Sequence, residues 1–327
     1  MKTLIENFSG QLSEAVKIGE AAELASCDKT LTNVLVSGLG GSGIGGTIVS
    51  QLTAGDANVP INVNKEYGIP KYISENSLVI ISSYSGNTEE TLQSMEYAIS
   101  SGAEVACITS GGEVLKIAQE NNLNHIVVPG GMPPRACLGY SLTQLLYLLD
   151  HYGITSYDFR NDLRASIDLL IQEEDNITEE AKKVAESLSN KIPIIYSTAG
   201  FEGVSIRFRQ QLNENSKMLC WHHVFPEMNH NELVGWRNKS EDIAVVLLRN
   251  DSDPERVKTR VEICKDIFSK YCSTIIEVNS KGSSALENTL YHIHLGDWIS
   301  WYLSEINQVD ATEIDVINFL KNELSKQ

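Results

Sequence analysis

The chain has 327 residues, of which 42% are hydrophobic and 21% are charged, a composition that fits one large globular domain or two smaller ones. Its 26 Lys and Arg residues against 43 Asp and Glu residues give a formal net charge of -17. A chain this acidic has no general electrostatic attraction to nucleic acid or to an anionic membrane, so we expect neither as a partner. An anionic small molecule can bind only where local dipoles and a few cations outweigh the overall field.

Cysteine usage and the N-terminal segment indicate the compartment. The six cysteines are scattered, with no C-x-x-C pair and no Cys/His cluster, which is typical of a reducing compartment and predicts no zinc site. The N-terminal segment carries Glu6 and Ser9 where a signal peptide would be apolar, so we interpret it as an amphipathic helix. No apolar run approaches the roughly 18 residues of a membrane span. We therefore expect a cytoplasmic protein.

Strands and helices alternate strictly in the first half of the chain. The predicted strands are 33–37, 61–64, 78–82, 105–109 and 125–128, and the predicted helices between them are about 44–53, 88–101, 112–121 and 138–150. Such alternation predicts β-α-β units, and therefore a parallel sheet with helices on both faces.

The second half repeats this plan less regularly. The predicted strands are 193–197, 243–248 and 274–278, and the predicted helices are about 201–213, 254–270, 284–304 and 313–325. A polar helical stretch over 152–190 connects the halves. We predict an α/β protein of two open, doubly wound, flavodoxin-like domains, residues 1–153 and 154–327, with the boundary near 153–158.

A glycine-rich loop follows the first predicted strand. Residues 38–46 read G-L-G-G-S-G-I-G-G and satisfy the dinucleotide pattern G-x-G-x-x-G. A dinucleotide site also needs an acid at the end of the second strand, where this chain has Asn64 and Lys65, with Glu66 the nearest acid. Ser42 instead presents a hydroxyl beside the backbone N–H groups of a helix start, which favours a terminal phosphate. The alternative is a tight turn for close helix–sheet packing, but six glycines in nine residues exceed what a turn needs.

A second hydroxyl-rich loop follows the third predicted strand. Ser83, Ser85 and Thr88 surround a glycine turn before another helix. Thr88 could simply be an N-cap, but a cap does not call for Ser83 and Ser85 as well. We expect the two loops to converge on one anion, since the carboxyl ends of parallel strands are where ligands bind in open sheets.

These two motifs carry a family resemblance. The run S-Y-S-G-N-T-E-E-T after a strand, following G-L-G-G-S-G, resembles the sugar isomerase (SIS) domain, a phosphosugar-binding α/β module. Two such domains in one chain of this length resemble the bifunctional phosphoglucose/phosphomannose isomerase family. The resemblance implies a C-terminal helix packing back on the active site, no cofactor and no metal. It also implies that the phosphate is held by Gly41, Ser42, Ser83, Ser85 and Thr88.

Arg135 lies in a loop stiffened by two prolines, just before a predicted helix. A fixed guanidinium at this sheet edge could hold sugar hydroxyls or stabilise a developing oxyanion. The alternative is a surface arginine paired with a carboxylate. The resembled family carries its active-site arginine in this Pro-Arg loop, which implies both a substrate-binding and a catalytic role for Arg135.

Glu214 lies in the sequence Asn-Glu-Asn at the end of the first helix of the second domain. From the residues alone, an ordinary helix-end acid is the simpler interpretation. The resemblance implies that Glu214 is the catalytic base of an aldose–ketose isomerase. One carboxylate can carry a proton between C1 and C2 of an open-chain sugar through a cis-enediolate.

Three histidines lie between residues 221 and 232, but their spacing matches no H-E-x-x-H site and Pro226 disfavours a continuous helix. The resemblance, through Pro-Glu-x-Asn-His-Asn-Glu, implies that His230 is a ring-opening acid. In the resembled isomerases this histidine comes from the partner subunit, which implies a homodimer. The histidines and tryptophans of 291–301 have helical spacing, and we interpret them as core and dimer packing.

Lys321 lies on the predicted C-terminal helix. Read locally, it is a solvated lysine on an amphipathic helix. The resembled family carries an active-site lysine in Ile-x-x-Leu-Lys-x-x-Leu, which matches 317–324. The preceding segment, 309–314, lacks a proline that is frequent in that family.

The sequence therefore predicts an isomerase that interconverts glucose 6-phosphate, fructose 6-phosphate and mannose 6-phosphate. Three alternatives stay open at this point. The chain could be a non-catalytic phosphosugar sensor on the same fold, an isomerase of another phosphosugar, or a nicotinamide-dependent enzyme suggested by G-x-G-x-x-G.

Overall fold

The structure is a computed structural model and describes residues 1–326. The chain divides into two compact units, each built from separate segments. The N-terminal unit comprises residues 6–172 and 282–290, and the C-terminal unit comprises residues 1–5, 173–281 and 291 onwards. The boundary between residues 153 and 154 stays a prediction. Among the described residues no helix is long and apolar enough to cross a bilayer.

The N-terminal unit contains a five-stranded, fully parallel sheet in the order β2-β1-β3-β4-β5. Its strands are β1 (Asn33–Ser37), β2 (Ile61–Asn64), β3 (Ser77–Ser82), β4 (Glu104–Thr109) and β5 (Asn124–Val127). All six residues of the central β3 are buried, because helices cover both faces of such a sheet. The prediction of a doubly wound parallel sheet is confirmed.

The helices of this unit are α1 (Lys2–Glu6, whose first residues belong to the C-terminal unit), α2 (Phe8–Glu20), α3 (Gly40–Leu52), α4 (Glu89–Ser100), α5 (Gly112–Glu120), α6 (Leu138–His151) and the beginning of α7 (Phe159–Leu188). Three of them, α3, α4 and α5, connect its strands, and the others precede β1 or follow β5.

Helix α3 begins at Gly40, four residues before the predicted start at about 44, so the prediction was wrong there. The glycines allow the first turn of α3 to pack closely against neighbouring backbone, and they do not break the helix. A Cβ on Gly43 would lie 2.2 Å from the carbonyl oxygen of Gly38, and a Cβ on Gly41 would lie 2.9 Å from that of Pro134. Ser42 therefore lies in the first turn of α3, and not in a loop before it.

The C-terminal unit contains a four-stranded parallel sheet in the order β7-β6-β8-β9. Its strands are β6 (Ile192–Thr198), β7 (Trp221–Phe225), β8 (Ile243–Arg249) and β9 (Thr274–Asn279). Its helices are the end of α7, then α8 (Glu202–Glu214), α9 (Glu255–Phe268), most of α10 (Ala285–Ile306) and α11 (Asp315–Leu324). The order matches β2-β1-β3-β4 of the first sheet, as expected for a structural duplication.

Strand β7 was not predicted. It is a short edge strand of five residues, and His222 and His223 in its middle are only partly buried, so the apolar signal is weak. Only its last two residues, Val224 and Phe225, are buried. The strand still decides where His230 lies, because the chain leaves β7 five residues before it.

His292 on α10 is buried in the C-terminal unit, with 3% of its surface exposed. Its Nε2–H donates to the carbonyl oxygen of Arg249 at 3.2 Å. Burial lowers the pKa of His292 from its usual 6.5 to about 4. The unfolded chain therefore takes up this proton at a higher pH than the folded chain.

We expect neutral His292 to contribute stability that is complete above pH 6.5 and is lost as the pH falls from 6.5 to about 4. The loss amounts to about 3 kcal/mol in the free energy of unfolding. His292→Gln keeps a donor for the Arg249 carbonyl but does not titrate. Urea unfolding at a series of pH values should show a smaller acid-side loss for His292→Gln than for the wild type. Equal losses would contradict the assignment.

Candidate active site

The strand order of the N-terminal sheet reverses between β1 and β3, which is where ligands bind in such folds. The glycine-rich segment follows β1 and the hydroxyl-rich loop follows β3, and the two are bonded to each other. The Oγ of Ser42 accepts from the backbone N–H of Tyr84 at 3.0 Å, and the Oγ of Ser82 donates to the Ser42 carbonyl at 3.1 Å. Since the Ser42 hydroxyl accepts in this bond, its own hydrogen can be donated to a ligand.

Both helices that begin at this point lack side-chain caps. The N-cap residues are Leu39 for α3 and Thr88 for α4, and neither side chain makes a capping hydrogen bond. The Thr88 hydroxyl instead accepts from the Ser83 Oγ at 3.3 Å, and the Ser85 Oγ accepts from the backbone N–H of Asn87 at 3.3 Å. The capping alternative for Thr88 is therefore not realised. First-turn N–H groups without caps form an anion-binding site.

Gly86 fixes the shape of the hydroxyl-rich loop. Its φ of 68° lies in the left-handed region, and a Cβ would lie 1.8 Å from the carbonyl oxygen of Gly111. Only glycine fits this close approach. The turn at Gly86 thereby determines where Ser83, Ser85 and Thr88 stand around it.

Arg135 lies in a 3₁₀ turn, Pro134–Ala136, and only 3% of its surface is exposed. This turn packs against the start of α3, since a Cβ on Gly41 would lie 3.1 Å from the Arg135 Cα. The structure therefore brings the Arg135 turn, Gly41, Ser42 and the hydroxyl-rich loop together. A surface arginine, which was the alternative, is contradicted by this burial.

Two residues that the sequence analysis did not select hold the Arg135 loop. Gln11 of α2 is buried; its Nε2 donates to the Ala136 carbonyl at 2.7 Å, and its Oε1 accepts from the Gly139 N–H at 2.8 Å. No local pattern identifies Gln11, because its partners are more than 120 residues away in the chain.

Tyr84 supports the other end of the same loop. Its hydroxyl donates to the Pro129 carbonyl at 2.9 Å and accepts from the Met132 N–H at 3.2 Å. Burial, with a smaller effect from Cys137, raises the pKa of Tyr84, so the phenol stays protonated and keeps its donor. The loop that carries Arg135 is thus tied to the hydroxyl-rich loop by one side chain.

The end of β2 does not suit a dinucleotide. Asn64 takes the place of the ribose-binding carboxylate, and its Nδ2 donates to the Gly68 carbonyl at 2.8 Å and lies 3.2 Å from the Ser94 Oγ. The amide therefore holds the chain after β2 against α4. The chemistry of this position disfavours the nicotinamide alternative. Within residues 1–326 there is also no group of three or more His, Cys, Asp or Glu side chains placed to hold a metal ion.

Glu214 is the last residue of α8, in the C-terminal unit. It lines a cavity of about 300 Å³ between the end of α8 and the start of α11. The other lining residues are Asn213, Lys217, Met218, Leu219, Glu313, Ile314, Val316 and Ile317. Helix α11 therefore begins directly beside Glu214.

Lys217 joins α8 to the segment before α11. Its Nζ donates to the carbonyls of Glu214 at 2.5 Å and Glu313 at 2.8 Å. Lys217 has a φ of 58°, and the N–H of Met218 donates to the Leu212 carbonyl at 3.2 Å, so the chain turns back at the end of α8. A left-handed conformation usually favours glycine, so the lysine here carries a conformational cost, which the bonds of its ammonium offset.

Lys321 lies one turn beyond the cavity. Ile314 and Ile317 line it, and Lys321 follows them at i+7 and i+4, so all three share one face of α11. The side chain of Lys321 is exposed. The structure thus places the helix of Lys321 beside Glu214, with the lysine outside the cavity itself.

His230 lies at the other edge of the C-terminal sheet. Helix α8 runs back from the carboxyl edge of the sheet, so Glu214 ends at the amino edge, whereas β7 runs to the carboxyl edge before His230. The two residues are therefore separated by roughly the length of α8, about 18 Å. His230 is exposed and makes no side-chain hydrogen bond or ion pair within residues 1–326.

Side-chain hydrogen bonds fix the loop that carries His230. The N–H of Val224 donates to the His223 Nδ1 at 2.8 Å, which leaves the proton of His223 on Nε2, and this donates to the Asn231 Oδ1 at 3.1 Å. The buried Tyr196 donates to the carboxylate of Glu232. His230 is thus presented outward from a fixed loop.

We expect Lys217→Met to loosen α11, because two hydrogen bonds from a charged donor are lost. Amide hydrogen exchange over 315–324 should accelerate about tenfold or more. Lys326→Met is the control, since the Lys326 ammonium pairs with Glu323 within the same helix end. Unchanged exchange in Lys217→Met, or equal acceleration in both variants, would contradict the role of Lys217.

Comparison with known proteins places this arrangement in a family. The family model described as the bacterial phospho-glucose isomerase C-terminal SIS domain matches residues 177–324. Among solved structures, the C-terminal domain of glucosamine-fructose-6-phosphate aminotransferase from Francisella tularensis has a TM-score of 0.74 at 13% identity, covering 94% of this chain and 96% of that chain. This likeness shows the fold.

Sequence relatives extend over nearly the whole chain. The bifunctional phosphoglucose/phosphomannose isomerase of Caldicellulosiruptor bescii is 35% identical over 335 residues, covering 98% of both chains. The protein of the same name from Aquifex aeolicus is 36% identical over 296 residues, covering 90% of both. Together with the two parallel sheets and the joined loops, this identity shows that the chain belongs to the bifunctional phosphoglucose/phosphomannose isomerase family.

Proposed function

We propose that this protein is an aldose–ketose isomerase that interconverts glucose 6-phosphate, mannose 6-phosphate and fructose 6-phosphate. The observation that carries the proposal is the bonded pair of loops after β1 and β3, with two uncapped helix starts, in a chain of this family. Uncharged hydroxyl and N–H donors suit a phosphate because helix dipoles add to their hydrogen bonds.

In this proposal the N-terminal unit holds the substrate. The phosphate is bound by Gly41, Ser42, Ser83, Ser85 and Thr88. Arg135 supplies the fixed positive charge for the sugar oxygens, where negative charge develops during proton transfer. A guanidinium is suited to this role because it stays protonated at any working pH.

The C-terminal unit supplies the chemistry. Glu214 removes a proton from the carbon next to the carbonyl and returns it to the neighbouring carbon, through a cis-enediolate. His230 and Lys321 open the sugar ring and exchange protons with its oxygens, a task that suits imidazole near neutral pH. Rotation about the C2–C3 bond of the open chain would present either face of C2 to the same base, so both epimers can react.

We expect Glu214→Gln to lower kcat about a thousandfold for all three hexose 6-phosphates, because the general base is lost. Wild-type enzyme should exchange deuterium from C2-labelled substrate into water. The control is Glu202→Gln, at the opposite end of α8, where the carboxylate lies 3.8 Å from His222. Full label retention at C1 by the wild type would contradict proton transfer, and full activity of Glu214→Gln would contradict the base. A wild type inactive on all three sugars would contradict the function.

We further propose a homodimer in which each site takes His230 from the partner subunit. Glu214 and His230 lie at opposite edges of one sheet, so one copy alone cannot bring them to one sugar. Helix α11 beside Glu214 also leaves large apolar side chains exposed, with Val316 at 81% and Phe319 at 66%. A ten-residue helix with no buried residue needs a packing partner for stability.

We expect Glu214→Gln and His230→Ala to complement each other. Each homodimer should be inactive, whereas a heterodimer isolated through two different tags should regain about half of the wild-type activity, because one of its two sites is intact. If His230 acted within its own chain, every site of the heterodimer would lack one residue and the heterodimer would be inactive.

We also propose that the protein works in the cytoplasm. All six cysteines are free, and four of them are buried. Burial raises the pKa of Cys107 to about 12, so this thiol stays protonated. Free, unreactive thiols are typical of proteins in a reducing compartment.

A further inference from the structure

Helix α8, which ends at Glu214, buries a polar stripe. Arg207, Gln211 and Asn215 follow each other at intervals of four residues, so they lie on one face. Each of the three is at most 1% exposed. The helical backbone continues to Asn215, with φ of -87° and ψ of -47°, so the stripe reaches past the proposed base.

This stripe is bonded to α10 at two neighbouring points. The Nη2 of Arg207 donates to both carboxylate oxygens of Asp297, at 3.0 and 2.9 Å, and the Gln211 Nε2 donates to one of them at 2.8 Å. One turn further on, the Asn215 Nδ2 donates to the Ser300 Oγ at 2.9 Å. The Ser300 Oγ donates in turn to the Asp297 carbonyl at 2.7 Å.

Such a buried polar contact is not the most stable way to join two helices. Apolar side chains of similar volume are often as stabilising as a buried ion pair, or more so. Apolar contacts are non-directional, however, whereas hydrogen bonds fix distance and angle. Two sets of hydrogen bonds, at Asp297 and at Ser300, define how α8 is rotated about its axis. The bond at Ser300 comes from Asn215, which is the residue next to Glu214.

We propose that Ser300 is a positioning residue for the isomerase reaction. By accepting from Asn215, its hydroxyl fixes where the last turn of α8 lies and so holds the Glu214 carboxylate in the direction of the substrate. The inference rests on the proposed function of Glu214. Small displacements of a reacting group are costly, since about 1 Å can lower the rate about a hundredfold.

The chain contains a matched control for Ser300. Ser304 lies one turn further along α10, is equally buried, and donates to the carbonyl three residues before it, as Ser300 does. The Ser304 hydroxyl makes no bond to α8. Ser300→Ala and Ser304→Ala therefore remove the same atom from the same helix, and differ in the bond to Asn215.

We expect Ser300→Ala to lower kcat at least fivefold relative to Ser304→Ala, with the KM for fructose 6-phosphate within twofold of the wild type. A purely structural role would lower the melting temperature without this separation of kcat from KM. Ser300→Cys keeps the volume but offers a weaker acceptor, so its kcat should also fall, and it replaces Ser300→Ala if that variant does not fold. A kcat for the Ser300 variant within fivefold of Ser304→Ala, or a change in KM alone, overturns the proposal.

A double-mutant cycle tests the route through Asn215. If Ser300 acts by holding Asn215, the double variant Ser300→Ala/Asn215→Ala should have the kcat of the slower single variant. If the fold-changes in kcat of the two single variants multiply in the double variant, the route through Asn215 is overturned. Wild type and Glu214→Gln are assayed alongside. If the wild type isomerises and Glu214→Gln does not, the proposed function stands whatever Ser300→Ala shows.

Discussion

The hydrogen bond from the Tyr84 backbone to the Ser42 hydroxyl is the contact on which the site depends. A chain with a net charge of -17 repels a doubly charged phosphate at long range, so attraction must be local. In the proposed site that attraction comes from two helix starts, and they act together only if α3 and α4 face the same point. By joining the segment after β1 to the loop after β3, Ser42 and Tyr84 fix this geometry. Gly41 extends it, because its missing side chain admits the Arg135 turn.

The first four strands of the N-terminal sheet share their order with the C-terminal sheet, and the proposed phosphate site lies in the N-terminal unit. In the C-terminal unit the loop after β8 reads Asn-Asp-Ser-Asp over residues 250–253, whereas the loop after β3 reads Ser-Tyr-Ser-Gly over residues 83–86. Asp253 is buried and accepts from the Asn250 N–H at 3.1 Å, and its carboxylate would repel a phosphate at this point. The second unit presents Glu214 and α11 at the opposite edge of its sheet. In the proposed function, the duplicated fold therefore assigns substrate binding to one unit and proton transfer to the other.

Much of the fold could be predicted because parallel strands are continuous apolar runs, and β1 and β2 begin and end at the predicted residues. The start of α3 could not, because glycine reads as a helix breaker until its neighbours are known. Strand β7 was missed because an edge strand needs few apolar residues. Among site residues, Ser42 and Ser83 belong to a local motif. Gln11 and Lys217 do not, and their roles depend on partners distant in the chain.

The end of α8 shows why such residues escape sequence patterns. Three constraints meet within four residues: Glu214 at the helix end, Asn215 bonded to α10, and Lys217 in a left-handed conformation bonded to the segment before α11. Each alone is unfavourable or neutral for stability, since it buries a polar group or strains the backbone. Together they hold the end of α8, and with it Glu214, relative to two helices, as the proposed proton transfer between adjacent carbons requires. Local rules of sequence are broken here because position, more than stability, is what this segment provides.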